Sequence, residues 1–386
     1  MIPLKYNVRN LRVRWVSTTM TVLGTALVVW SSCILFGLVD GLQHSLNVSG
    51  DPLDLIVLRK GSSSETTGGF VSSQADEIAN LAGIAHDDQG MPLAAKEMVD
   101  ISIAERKEGT RTNLIIRGIS AASPKLRPDF KVLAGGRFLE PGRGECLVSK
   151  SLSGRFKNAA LGSLLTLGSK APFRVVGLFT AGGSAAESEV WVDLSDLEQR
   201  INRKGYVTSV QLRAASAADL DRIKSKIDHD VQFKLAALRE ADYFAEQARA
   251  GLLFKVAGTL IAVLLTFGAM FAAANTMFAA VKSRTREIGT MRALGFGRID
   301  ILLSFLGESI LLCLLGGALG LLATFPLSAW TYSTGLNFAE TSIGFRFGPL
   351  VMSVAAAMTL AMGVFGGLLP SLRAVRLDIV RALREV

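Results

Sequence analysis

Four stretches of the 386-residue chain carry no charged side chain: residues 15–39, 256–281, 309–339 and 347–372. Each exceeds the roughly 20 apolar residues that a helix needs to cross a hydrocarbon core about 30 Å thick. The pattern predicts four transmembrane helices, placed at 18–39, 254–281, 301–330 and 347–369. Between the first two the texture changes. Over residues 40–250 short apolar runs alternate with turn clusters, which suits a folded α+β domain inserted between helices one and two. Strands are expected at 53–58, 99–104, 112–117, 145–148, 164–167, 173–179, 190–192 and 209–212. Helices are expected near 73–81, 194–201 and 217–227, an interleaving compatible with two small subdomains.

The junction with the second span predicts more helix. No proline occurs between residues 236 and 281, and Leu238, Ala241, Ala245, Ala248 and Leu252 keep a helical apolar spacing. About 45 helical residues at 1.5 Å each would reach roughly 68 Å, a stalk standing above the bilayer, with 40–48 extending span one as its partner. The competing reading is an interfacial amphipathic helix broken near Gly251.

Charge sets the orientation. The net charge is +9, yet residues 40–250 hold 27 basic and 27 acidic side chains. The excess lies at the N-terminus (Lys5, Arg9, Arg12, Arg14), in the link 282–299 with the adjoining Asp300 (Lys282, Arg284, Arg286, Arg292, Arg298 against Glu287 and Asp300) and in the tail 370–386 (Arg373, Arg376, Arg381, Arg384 against Asp378 and Glu385). Lysine and arginine are retained on the cytoplasmic side, so residues 1–17, the link and the tail are expected inside, and 40–250 and 331–346 outside the inner (plasma) membrane. Because the soluble region is balanced, the basic chain is not expected to read nucleic acid. The first apolar stretch exceeds a signal-peptide core and reads as an uncleaved span.

Catalytic chemistry finds little support. Cys33 and Cys313 fall inside spans, leaving Cys146 alone in the soluble region, so no internal disulfide or metal-ligand spacing is available there. His44, His86 and His229 sit in no nucleophile or metal arrangement. The chain has no Gly-x-x-x-x-Gly-Lys-Ser/Thr loop to cradle phosphates, so it is not expected to be an enzyme.

The most specific motif lies in the link: Arg284, Arg286, Glu287, Ile288 and Gly289, then Arg292, Ala293 and Gly295, with Gly297 and Arg298 leading to Phe305, Leu306 and Glu308 in span three. A short basic helix of this kind offers charged hydrogen-bonding groups to a partner, and Gly295 and Gly297 permit a tight reversal. An inside-positive bias alone would not require an Arg-Glu-Ile-Gly core. Glu308 is the one acid near a span interior, and it is read as structural or coupling rather than as a proton relay. Gly316, Gly317 and Gly320 in span three, with Gly363, Gly366 and Gly367 in span four, allow backbones to approach closely, either within the chain or across a dimer.

These residues resemble the signature of the MacB/FtsX-like ABC transporter permease family. The tail, Pro370 through Arg373, Ala374 and Arg376 to Ala382, Leu383 and Arg384, is similar too, with Ile379 where the family often has proline. Leu58-Arg59-Lys60-Gly61 and Gly135-Gly136-Arg137-Phe138 resemble the MacB-type periplasmic domain. The resemblance implies an α-helical integral membrane protein with four transmembrane helices and a MacB-like α+β extracytoplasmic domain. It also implies that Arg284–Gly295 couples to two copies of an ABC ATPase, with ATP and Mg on that partner and no cofactor in this chain. A permease homodimer or heterodimer follows, with a periplasmic adaptor and an outer-membrane channel if the likeness extends that far. The function so implied is mechanotransmission, in which ATPase closure moves the outer domain to export or extract a substrate. Lipoprotein release of the LolC/LolE kind and an FtsX-like scaffold that controls a cell-wall hydrolase are the alternatives.

Overall fold

A computed structural model describes residues 15–127, 129–168, 171–230, 232–250, 252–329, 331–336 and 339–377. Lys5, Arg9, Arg12, Arg14, Asp378, Ile379, Arg381, Ala382, Leu383, Arg384 and Glu385 lie outside the described residues. The rest falls into two compact units divided at Gly41/Leu42 and Gly251/Leu252, with Thr331–Gly344 belonging to the second.

The first unit is helical. Helix α1 (Trp15–Val48) begins in it, and α7 (Leu252–Ser283), α8 (Thr285–Ala293), α9 (Arg298–Leu322) and α10 (Pro349–Val375) complete it. Four of the described helices are long and apolar enough to cross a membrane. They bury one stripe each and leave apolar side chains outward, as on α7, where Leu260 and Phe271 are exposed. That is what lipid as a solvent permits. Small residues let the backbones meet. A methyl group on Gly316 would stand 2.6 Å from the Val22 carbonyl of α1, and one on Gly320 equally close to that of Ala26. Gly363 and Gly367 face Ile310 and Ser309 of α9, Gly317 faces Thr359 of α10, and Gly366 faces Ala273 of α7. The Ser309 hydroxyl donates to the Gly363 carbonyl at 2.9 Å. Each of these glycines therefore meets another helix of the same chain. Helix α9 also ends earlier than expected. A short 3-10 turn, Phe325–Ala329, follows it, because Pro326 has no N–H to continue the ladder.

The second unit is an α+β domain. Its main sheet has ten strands among the described residues: β1 (Asp54–Arg59), β3 (Ala94–Glu105), β4 (Arg111–Ile119), β5 (Phe130–Val132), β6 (Glu145–Ser149), β7 (Leu164–Leu165), β8 (Phe173–Ala181), β9 (Glu189–Asp193), β11 (Ser209–Arg213) and β12 (Leu235–Arg239). Their order is β12-β1-β11-β3-β4-β9-β6-β8-β5, with β7 on β8. The pairs β4–β9 and β6–β8 are parallel, the rest antiparallel. Short strands β2 (Phe70–Val71) and β10 (Tyr206–Val207) pair separately.

Alternation along the strands separates two faces. On one, Leu55, Val57, Val210 and Leu212 pack with Ile78 of α2 (Ser72–Ala79) and with Leu220, Ile223 and Ile227 of α5 (Ala217–His229). Farther along the same face, Leu114, Ile116, Val190 and Val192 pack with Leu152 of α3 (Lys150–Ser153) and Leu197 of α4 (Leu194–Arg200). Two cores therefore exist, as two subdomains would require, but one sheet runs unbroken through both. On the opposite face, Ile56 and Leu58 meet Tyr243 and Phe244 of α6 (Glu240–Ala250).

One expectation is corrected. The helix expected from residue 236 starts at Glu240. Residues 235–239 instead form β12 and pair with β1, with Leu238 opposite Ile56, because a free strand edge captures them before the helix begins. Whether α6 and α7 are continuous falls on Gly251, outside the described residues. The expected outer loop 331–346 contains a hairpin of β13 (Thr331–Leu336) and β14 (Ala339–Gly344).

Candidate functional site

The link between α7 and α9 is a short helix, α8, held in place from both ends. Arg284, its N-cap residue, is buried and turned inward: Nη1 donates to Glu308 Oε2 at 2.9 Å, with both side chains 7% exposed. Its guanidinium also lies 5.7 Å from the Phe305 ring and 3.7 Å from the half-exposed Glu287 carboxylate. At the other end, Arg292 Nη1 donates to the Leu377 carbonyl at 2.8 Å and to that of Val375 at 3.3 Å, where α10 terminates. Cationic groups are favoured at such a terminus, whose last carbonyls lack helical partners. Between them Ile288 is fully buried among Met277, Ile301, Phe305 and Ala374. Arg373 lies over the Phe278 ring of α7 at 5.8 Å.

Gly295 then takes φ of +92°, a left-handed conformation that ends α8. The Gly297 N–H donates to Asp300 Oδ2 at 3.1 Å and starts α9.

This geometry divides the residues singled out from sequence. Arg284, Ile288, Gly289 and Glu308 are interior, and Arg292 spends its hydrogen bonds on α10. The expectation that Arg284 offers itself to a partner is therefore corrected: an acid twenty-four residues away in the sequence claims it. Arg286, Glu287, Ala293 and Gly295 stay exposed. They are joined by two residues the sequence reading passed over, Leu294 and Ile299, which are 75% and 72% exposed. A large apolar side chain open to solvent on each side of a tight turn is the signal that marks them. The outer surface of the link thus presents three cations, Lys282, Arg286 and Arg298, one anion, Glu287, and two aliphatic side chains.

In the second unit, the opposite face of the main sheet carries a buried ionic cluster with no local sequence signature. Arg117 on β4 donates to Glu65, Glu97 and Glu189 at 2.6–2.8 Å, and Arg127 pairs with Glu97 at 2.9 Å. Ser209 donates to Glu65, and the Trp191 indole N–H to Glu189. Burial alone would raise the Glu97 carboxyl, but Arg127 and Arg117 outweigh it and hold it at about 2. The same carboxylates push Arg117 upward against its own desolvation. The motif around Gly136 has a structural role here: a methyl on Gly136 would stand 2.7 Å from the Gly177 Cα, and Arg137 pairs with Glu145 on β6.

Comparison with known proteins matches both units. The model of the MacB-like periplasmic core domain matches residues 18–230, and that of the FtsX-like permease C-terminal region matches residues 259–379. The macrolide export ATP-binding/permease protein MacB of Rhodospirillum rubrum is 26% identical over 405 residues, covering 98% of this chain and 60% of that protein. The Brucella melitensis protein of the same name is 27% identical over 398 residues, covering 97% and 59%. The chain spans about 60% of the length of these curated relatives. The solved periplasmic region of MacB from Actinobacillus actinomycetemcomitans aligns with 52% of this chain and 94% of its own length, at 12% identity and a TM-score of 0.40.

Proposed function

This chain belongs to the family of permeases that join a MacB-like periplasmic core domain to an FtsX-like permease domain, and on that premise we propose that it couples an ABC ATPase on another polypeptide to movement of its outer domain. The observation that carries the proposal is the double attachment of α8. A helix fixed to α9 through Arg284–Glu308 and to α10 through Arg292 cannot be displaced without loading both spans. Its exposed surface is where load is applied: Arg286 and Glu287 supply directional charged hydrogen bonds, and Leu294 and Ile299 supply apolar area. The ATPase, present in two copies with its own ATP and Mg, seats on this surface when the link faces the cytoplasm. Substrate is exported or extracted by the moving outer domain, as the export function named for the MacB relatives suggests.

Purification of the tagged chain from mild-detergent membranes, with mass spectrometry of bound proteins, tests the reading. An ABC ATPase is expected, and Leu294→Ala with Glu287→Ala should release it while leaving the chain inserted and folded. An adaptor recovered with the ATPase would extend the proposal to a trans-envelope exporter. A bound cell-wall hydrolase, or bound lipoproteins, would favour the scaffold or lipoprotein-release reading. If no ATPase is recovered from the unsubstituted chain, the proposal fails.

A further inference from the structure

In the second unit, the sheet face that carries Arg117 borders a cavity of about 270 Å³, closed in by the last turns of α1 and the first turns of α6. One part of its wall is apolar, with Leu42, Leu46, Phe130 and Phe244; the other is formed by Glu65, Arg117, Arg127, Glu189, Gln211 and Glu240.

The polar wall is short of positive charge. Arg117 and Arg127 face Glu65, Glu97 and Glu189, so this group already carries one negative charge in surplus. Glu240, only 6% exposed, adds a fourth carboxyl. The neighbouring Arg213 offsets it only in part, being engaged by Asp54 at 2.7 Å and Asp51 at 3.3 Å. An uncompensated carboxylate in such a setting costs several kcal/mol unless it takes up a proton or a cation.

A second observation is independent of charge. Gln211 is 4% exposed and lies on β11 between Ser209, which donates to Glu65, and Arg213, which donates to Asp54. Its own carboxamide lines the cavity and has no hydrogen-bond partner among the described residues. An amide that meets no protein partner and opens into a cavity is free to bind whatever fills it. The register brings the two groups to one region: Ile56 of β1 pairs with Gln211 on one side and Leu238 on the other, and Glu240 follows two residues later.

We propose that this cavity binds a small organic ammonium ion, its charged head facing the Glu240 carboxylate and the Gln211 carbonyl oxygen and its apolar body lying against Leu42, Leu46, Phe130 and Phe244. A bare metal ion fits poorly, because much of the wall is apolar and the described residues contain no group of three or more His, Cys, Asp or Glu side chains placed to hold one, the carboxylates around Arg117 being spent on that guanidinium. Size limits the ligand. A cavity of about 150 Å³ accommodates benzene, so this one takes roughly an aromatic ring with a short aminoalkyl arm. Nothing in the inference depends on the ATPase partner.

Binding is linked to protons. Glu240 is pushed up to about 8, first by burial and then by Asp54 and Glu65, with Arg127 and the Asp51 N–H opposing; the Asp51, Asp129 and Glu189 carboxylates, the Arg117 and Arg213 guanidiniums and the Tyr243 hydroxyl are the other titratable groups around the cavity. Below that value the carboxyl is neutral, and entry of an ammonium ion releases its proton to solvent. Affinity should therefore rise about tenfold for each unit of pH until Glu240 ionises on its own.

The test is calorimetric titration of the full chain in detergent with benzylamine and with benzyl alcohol, its neutral counterpart of the same shape, against empty micelles. Benzylamine is expected to bind at least tenfold more tightly than the alcohol at pH 7.5, and roughly tenfold more tightly at pH 7 than at pH 6. E240Q should abolish that pH dependence, and Gln211→Leu should weaken amine binding while leaving the alcohol unchanged. Equal affinity for amine and alcohol, or amine binding independent of pH in the unsubstituted chain, would overturn the proposal. Those two comparisons need no variant, so they decide the matter even if E240Q does not fold.

Discussion

Replacing Glu308 by glutamine isolates the attachment between the link and α9. The carboxylate accepts from Arg284 at 2.9 Å with both side chains 7% exposed. At an effective dielectric of about 20, two unit charges at that separation attract by roughly 6 kcal/mol before desolvation is subtracted. Removing one member of a buried pair costs about 3–5 kcal/mol, because the survivor stays buried without its counter-charge. Arg284 keeps Glu287 at 3.7 Å, but that carboxylate is 54% exposed and its attraction is screened by solvent, so it softens the loss only partly. The expected cost is about 3 kcal/mol, a factor of roughly 150 in the folding equilibrium, and a fall of several degrees in the thermal midpoint measured in detergent. ATPase stimulation should fall with it, since α8 would no longer load α9 rigidly. Arg284→Met combined with Glu308→Leu removes both charges and should recover most of the stability, because an apolar pair of similar volume avoids desolvation altogether. If the single variant melts with the unsubstituted chain, or the double variant is no more stable than the single, the pair does not hold the link as argued.

Four further substitutions test the packing and electrostatics. Gly320→Val should destabilise the helical unit by about 1–3 kcal/mol or more by forcing α9 away from the Ala26 carbonyl. Gly307→Ala, with nothing within 4 Å of the new methyl, should be neutral or slightly stabilising in the same melting assay. Arg117→Ala leaves Glu65, Glu97 and Glu189 facing one another and should cost at least about 3–5 kcal/mol, with a pH dependence that reverses, since protonation would then relieve repulsion; an unchanged melting curve would refute the reading of the cluster. Glu240 has a folded pKa of about 8 against an ordinary 4.5, so its contribution to stability is fully present below 4.5 and is lost as pH rises through about 8. Glu240→Gln should flatten that decline, by at most about 5 kcal/mol across the window, and parallel stability–pH curves for the two proteins would count against it.

Much of this protein was legible in one dimension. Uncharged runs identify the spans because lipid excludes charge over a fixed length, and that constraint acts on each helix separately. Alternation at residues 99–104, 173–179 and 209–212 marks strands because successive side chains point to opposite faces of a sheet, although at 209–212 both faces are buried. The link motif was legible because its residues are contiguous. What the tertiary structure alone decided are pairings between distant segments. Residues 235–239 can be helix or strand by local pattern, and only the open edge of β1 makes them a strand. Glycine spacing permits close approach but does not say to what: Gly316 and Gly320 meet α1, Gly317 meets α10, Gly363 and Gly367 meet α9, and Gly366 meets α7. Arg284 and Glu308, or Arg117 with Glu65, Glu97 and Glu189, carry no mark of partnership in the sequence. Coulomb attraction depends on distance in space, and that distance is set by how the whole chain packs.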